Sequence, residues 1–125
     1  MMDMFANATD FNGDISTWDV SNVTNMSNMF TNATDFNSDI STWDVSNVNS
    51  MFRAFTGASS FNQNLSGWDV SNLVNMHMMF TGCSLFESDL SGWDVSSATD
   101  MHRICLLYTS PSPRDRSISR MPSSA

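Results

Sequence analysis

The apolar positions of the chain return with a 25-residue period, without insertion, from the N-terminus to residue 104. Fourteen large apolar residues fall in these columns and are predicted to form the structural core: Phe11, Trp18, Met26, Phe30, Phe36, Trp43, Met51, Phe55, Phe61, Trp68, Met76, Phe80, Phe86 and Trp93. A period of this length is typical of repeat proteins, in which a single unit cannot bury its apolar face but stacked units can. We therefore expect equivalent aromatic side chains to lie over one another.

Within one unit the spacing of the apolar residues changes. Ile15, Trp18 and Val20 fit a short strand, because the last two alternate with period 2. Farther on, the apolar residues are spaced as on one face of a helix, at Val23, Met26, Phe30 and Ala33. The pattern predicts an α/β repeat solenoid of the leucine-rich-repeat kind, with one short strand and one short helix in each unit. About four units are expected, at residues 5–29, 30–54, 55–79 and 80–104.

The composition changes near residue 104, where the predicted repeats end. All five glycines precede this point and all three prolines follow it. Residues 105–125 are predicted to be an artefactual or disordered tail, because three segments resemble a translated sequencing adapter: 105–110 (CLLYTS), 111–115 (PSPRD) and 119–125 (SRMPSSA). On this interpretation, the natural protein continues past residue 104 with a different sequence.

Charge and motif content narrow the functional classes. The net charge is −8, with 13 acidic residues against five arginines, which argues against binding to a nucleic-acid backbone. No segment of the sequence is apolar for the length of a membrane span. No nucleophile-elbow or phosphate-loop motif occurs, so we predict no catalytic residues, no cofactor and no enzyme activity.

One pattern of alternating oxygen ligands resembles a calcium loop. It gives weak calcium candidates in the first two units, at Asp10, Asn12, Asp14, Asp35, Asn37 and Asp39. The glycine and the distal glutamate of an EF-hand are missing from both segments. Side-chain-to-backbone hydrogen bonds in turns are the alternative explanation for these residues.

Three further sets of residues have alternative interpretations. An aspartate follows each tryptophan and either caps the next helix or contacts a ligand; these are Asp19, Asp44, Asp69 and Asp94. His77 and His102 are one repeat apart, but the same position in the first two units carries no histidine, so a metal site there is disfavoured. Cys83 stands in a column of alanines, which indicates a buried thiol rather than a nucleophile.

The repeat FNGDISTWDVSNVTNM at residues 11–26, which recurs with few changes at 36–51, resembles the BspA-type bacterial leucine-rich repeat surface proteins. That family includes the mycoplasma-lipoprotein-type 25-residue repeat of unknown function. Phe52, Arg53 and Ala54 depart from the pattern in the predicted helix, in its packing face or beside it.

The resemblance implies a location at the cell surface or outside the cell. It also implies a non-enzymatic module that binds an unknown protein or glycan on its exposed face, as an adhesin does. Two alternatives remain open: a spacer array of a surface lipoprotein with no specific ligand, and a surface repeat stabilised by calcium.

Overall fold

The computed structural model describes residues 1–99, and within that range it contains no helix and no strand. The regular pairing in this part of the chain is limited to two isolated parallel bridges, Asn25 with Ser50 and Ser50 with Asn75. The predicted α/β solenoid, with a strand and a helix in each unit, is therefore wrong. The predicted tail at 105–125 and His102 lie outside the described residues.

Tight turns replace the predicted strand and helix. The carbonyl of Ile15 accepts a hydrogen bond from the N–H of Trp18 at 3.1 Å, and Phe30 bonds Ala33 in the same way at 3.0 Å. Each such turn spans four residues, and in the interior units both end residues are buried, as at Ile40 and Trp43. A spacing of three is also a helical spacing, which is why the apolar pattern predicted a helix where turns occur.

Backbone hydrogen bonds between units account for the absence of a helix. In the segment that was expected to be helical, alternate N–H groups donate to carbonyls of the following unit: Met26 to Ser50 at 2.9 Å, Asn28 to Phe52 at 2.8 Å, Phe30 to Ala54 at 2.8 Å and Asn32 to Thr56 at 2.7 Å. An α-helix would use these N–H groups for its own bonds to the fourth preceding carbonyl. Because the next unit accepts them instead, no helix forms.

Two columns of left-handed residues also exclude a right-handed helix from each unit. One column has φ between 55° and 59° at Asp3, Asn28, Arg53 and Met78, and the other has φ between 61° and 81° at Asn7, Asn32, Gly57 and Gly82. Asn, Asp and Gly adopt this conformation at low cost, whereas Arg and Met do not. Gly57 is further constrained because a Cβ there would collide with Asn32 Oδ1.

The core consists of two parallel ladders of phenylalanine rings. In one, Phe30, Phe55 and Phe80 follow one another with centroids 5.4 and 5.5 Å apart. In the other, Phe36 and Phe61 are 5.7 Å apart, and the ladders meet where Phe30 stacks on Phe36 at 4.0 Å. Stacked rings at these distances contribute beyond the apolar area that they bury.

Most of the residues expected in the core are buried. Twelve of the fourteen have less than a tenth of their surface exposed, at Met26, Phe30, Phe36, Trp43, Met51, Phe55, Phe61, Trp68, Met76, Phe80, Phe86 and Trp93. Phe11 is half-buried and Trp18 is 39% exposed. Both belong to the first full unit, so each is covered by other units on one side only.

The buried tryptophans also connect successive units through hydrogen bonds. The indole N–H of Trp43 donates to the carbonyl of Ile15 at 3.0 Å, and that of Trp68 donates to Ile40 at 3.1 Å. A buried indole N–H needs such a partner. Each tryptophan therefore fixes the register of its own unit against the preceding one, in addition to filling the core.

Replacing Trp43 with alanine should lower the free energy of unfolding by about 3–5 kcal/mol, because the change opens a cavity and removes the indole donor to the carbonyl of Ile15, which keeps only the N–H of Trp18. The matched control is Trp18→Ala, which removes the same side chain from a position that is 39% exposed and should cost clearly less. Urea denaturation followed by circular dichroism measures both. Equal losses would show that the tryptophan column is not buried between units.

The left-handed column predicts a stabilising substitution. Met78→Asn places at φ 57° the residue that the equivalent position, Asn28, already carries, and should raise the free energy of unfolding by about 1 kcal/mol. The reciprocal variant Asn28→Met should lower it by a similar amount. Thermal melting of both variants tests the pair, and a shift in the same direction for both would contradict the assigned backbone conformation.

Candidate functional site

The exposed side of each unit carries aspartates that close short turns. In each turn, a carboxylate Oδ1 accepts the backbone N–H of the serine two residues later at 2.9–3.0 Å. We call these the aspartate turns; their aspartates are Asp14, Asp19, Asp39, Asp44, Asp69, Asp89 and Asp94. The aspartates that follow the tryptophans were expected to cap a helix or contact a ligand. Within residues 1–99 there is no helix to cap, so these side chains close the aspartate turns instead.

The same turns keep the aspartates charged. The hydroxyl of Ser71 donates to Asp69 Oδ1 at 2.6 Å, and this bond, followed by the bond from the Ser71 backbone N–H, holds the pKa of Asp69 below its ordinary value of 3.8. The pKa is lowered for the same reason in five other turns, at Asp14, Asp19, Asp39, Asp44 and Asp94. Because the folded-state pKa is the lower one, the stabilisation from these turns is complete above pH 3.8 and is lost as the pH falls through the folded-state value.

Four of the six calcium candidates have side-chain hydrogen-bond partners within the protein. Asn12 Oδ1 accepts the backbone N–H of Asn37 at 2.8 Å, and Asn37 Oδ1 accepts that of Asn62 at the same distance. Asp14 and Asp39 belong to aspartate turns, and Asp10 and Asp35 are exposed. Among residues 1–99, no three His, Cys, Asp or Glu side chains are grouped so as to hold a metal ion. Calcium binding stays a prediction.

The asparagine ladder, defined here as Asn12, Asn37 and Asn62, was not found in the sequence analysis. Its last bond joins Asn62 Oδ1 to the backbone N–H of Glu87 at 2.9 Å. The available signal was the recurrence of asparagine directly after the Phe11 column. The recurrence of this asparagine indicates that its amide has the same role in each unit. It does not show whether the amide oxygen bonds to the next unit or to an ion.

Two further candidates from the sequence, Cys83 and His77, each have a packing contact in the structure. Cys83 is buried, and its Sγ donates to the carbonyl of Phe55 at 2.8 Å. The ring of His77 stacks on that of Phe52 at 5.6 Å with an angle of 11° between the planes. The thiol of Cys83 is thus packed in the protein interior, and the imidazole of His77 stacks on an aromatic ring.

One surface cluster departs from the repeat, and we call it the Phe52 patch: Phe52, Arg53 and His77. Where it has Phe52 and Arg53, the preceding unit has Ser27 and Asn28. The guanidinium carbon of Arg53 lies 5.9 Å from the centroid of the Phe52 ring. All three residues are partly exposed, and residues 1–99 contain no helix, so the expectation that Phe52 and Arg53 lie in the packing face of a helix or beside it is wrong.

Arg53 is also distinctive in charge and conformation. It is the only Lys or Arg among residues 1–99 and it adopts a left-handed φ of 55°. Within the same range its Nε is buried and has no hydrogen-bond partner. An anionic surface therefore carries one guanidinium, next to two stacked rings.

The sequence of the repeat matches a known family model. The family model described as "Mycoplasma protein of unknown function, DUF285" matches residues 1–112. The chain belongs to this family. The match confirms the resemblance to a mycoplasma-type repeat, and it runs past residue 104 into the predicted tail. No curated protein and no solved structure matches the chain. In the described part of this DUF285 protein, no helix is long and apolar enough to cross a membrane.

The aspartate turns predict a local change in pKa. In Ser71→Ala the hydroxyl donor is lost while the backbone N–H remains, so the pKa of Asp69 should rise toward 3.8. Asp19, whose turn is closed by Ser21, is the internal control and should titrate as before. Carboxyl-carbon chemical shifts followed by NMR over an acid titration measure both groups. An unchanged Asp69 would show that the hydroxyl does not bind its carboxylate.

Proposed function

We propose that this DUF285 chain is a non-enzymatic repeat module of a surface or secreted protein, and that it binds a protein or glycan through the Phe52 patch. The proposal rests on one observation. The units closely resemble one another, but their exposed side changes from small polar residues to aromatic and charged ones at Phe52, Arg53 and His77. The resemblance to BspA-type surface proteins supports the location and the adhesive role.

The chemistry of the patch suits such a partner. Exposed aromatic faces stack on the apolar faces of sugars and on partner side chains. Arginine and aromatic residues are also enriched among the residues that contribute most to protein–protein binding. A guanidinium beside the Phe52 ring donates hydrogen bonds to sugar hydroxyls or to a carboxylate. The partner expected here is therefore polar or acidic, with an apolar face next to its acceptors.

The repeat supplies the variant that tests this proposal. A triple variant combines Phe52→Ser, Arg53→Asn and His77→Ser. It carries at these positions the residue types of the first unit, Ser27 and Asn28, which the same backbone already accommodates there. The full chain is applied to arrays of purified glycans and purified extracellular proteins. We expect the triple variant to lose at least about tenfold in affinity, or 1.4 kcal/mol, for any array member that the parent chain binds.

The matched control changes a different exposed surface. Asp44→Asn with Asp69→Asn alters two aspartate turns and leaves the patch intact, so its binding should equal that of the parent chain. If the triple variant binds as well as the parent while the aspartate variant does not, the aspartate face and not the patch is the binding surface.

A second function, a spacer array without a specific ligand, is favoured by the uniformity of the aspartate turns. The sequence Asp-Val-Ser is identical in all four units, at 19–21, 44–46, 69–71 and 94–96. A spacer predicts that no array member binds the parent chain in a saturable way. That result would overturn the binding proposal.

A further inference from the structure

Asn12 is the only asparagine in the chain that precedes a glycine, and both residues are exposed. We infer that this pair is a site of spontaneous covalent modification, in which Asn12 converts to isoaspartate or aspartate in the folded protein. The inference is independent of the proposed function, since it concerns the asparagine ladder and not the Phe52 patch.

The reaction needs only water. The backbone nitrogen of Gly13 attacks Cγ of Asn12 and forms a new N–Cγ bond, giving a five-membered succinimide. The Cγ–Nδ2 bond breaks, and Nδ2 leaves as ammonia with the proton that the Gly13 nitrogen gives up. Water then opens the ring at the main-chain carbonyl to give isoaspartate, or at Cγ to give aspartate.

The structure places two donors where negative charge develops during the attack. Asn12 Oδ1 accepts the backbone N–H of Asn37 at 2.8 Å and the hydroxyl of Ser38 at 3.0 Å. Both donors polarise the amide carbonyl and stabilise the oxyanion of the tetrahedral intermediate, as an oxyanion hole does. The same hydroxyl oxygen lies 2.7 Å from the carbonyl oxygen of Gly13 and 3.2 Å from that of Asn12, so its single proton is donated to one of these three acceptors at a time.

The attacking nitrogen belongs to an exposed glycine. Within residues 1–99, no backbone acceptor is bonded to the N–H of Gly13. Glycine has no Cβ, so nothing on the attacking residue itself hinders the approach of its nitrogen to Cγ. Only the glycine distinguishes Asn12 from the other members of the ladder, because the N–H groups of Ser38 and Gln63 likewise have no backbone acceptor within residues 1–99.

The ladder contains its own controls. Asn37 and Asn62 make the same bond to the next unit, at 2.8 and 2.9 Å, but they precede Ser38 and Gln63. Ladder position is thus constant while the following residue changes. A difference in reactivity among the three asparagines is therefore assigned to the residue that follows.

Conversion also has a structural consequence. In isoaspartate, the main chain runs through the former side chain, which moves the ladder oxygen away from the N–H of Asn37. The first unit then loses one of its connections to the second. The new carboxylate lies two residues from Asp14, on an already anionic side of the protein.

The test is peptide mapping by mass spectrometry on the full chain incubated at mildly alkaline pH, with a parallel sample unfolded in urea. We expect Asn12 in the folded chain to convert about tenfold faster than Asn37 or faster still, a barrier difference of about 1.4 kcal/mol or more. Isoaspartate is identified by its separate elution and by enzymatic methylation. Conversion only in urea, or at the rate of Asn37, would overturn the inference.

Three variants locate the cause. Gly13→Ser installs the residue that follows Asn37 and should slow the conversion of Asn12 to the rate of Asn37, whereas Gln63→Gly should speed the conversion of Asn62 while leaving Asn12 as an internal reference. Ser38→Ala removes the hydroxyl donor and should slow Asn12 in the folded chain but not in urea. If Ser38→Ala changes neither rate, the oxyanion contact has no part in the reaction.

Discussion

The structure depends on how the backbone N–H groups are divided between one unit and the next. Between Met26 and Ala33, every second N–H donates to the following unit, and the others close tight turns within their own unit. This division requires left-handed residues at fixed places, since they turn successive N–H groups in different directions. The Asn, Asp and Gly of those columns meet this requirement, and Arg53 and Met78 meet it at a cost.

Once the backbone bonds set the register, the core follows from it. Units in register place each phenylalanine over its equivalent, so the rings stack at 5.4–5.8 Å and the indole N–H groups reach carbonyls of the preceding unit. Because the fold is maintained by the inner columns and by the backbone, the outer positions are free to vary. The Phe52 patch occupies such outer positions.

The contacts of the surface residues could not be derived from the repeat pattern alone. The aspartates in the repeat were interpreted as helix caps or ligand contacts, yet each closes a turn with the serine two residues later. The amides of Asn12 and Asn37, which are calcium candidates, connect adjacent units through hydrogen bonds. Phe52 and Arg53 were visible in the sequence as departures from the pattern. Only their position beside His77, partly exposed, makes them a candidate binding site.

The sequence by itself determined the period of the repeat and which columns are apolar, because stacked units must present the same face at each step. The backbone conformation within a unit was not determined, since a spacing of three between apolar residues suits both a helix and a chain of turns. The choice between them was decided by the tertiary structure. The neighbouring unit that accepts alternate N–H groups is almost a full repeat away in the chain, and local propensity contains no information about such a partner.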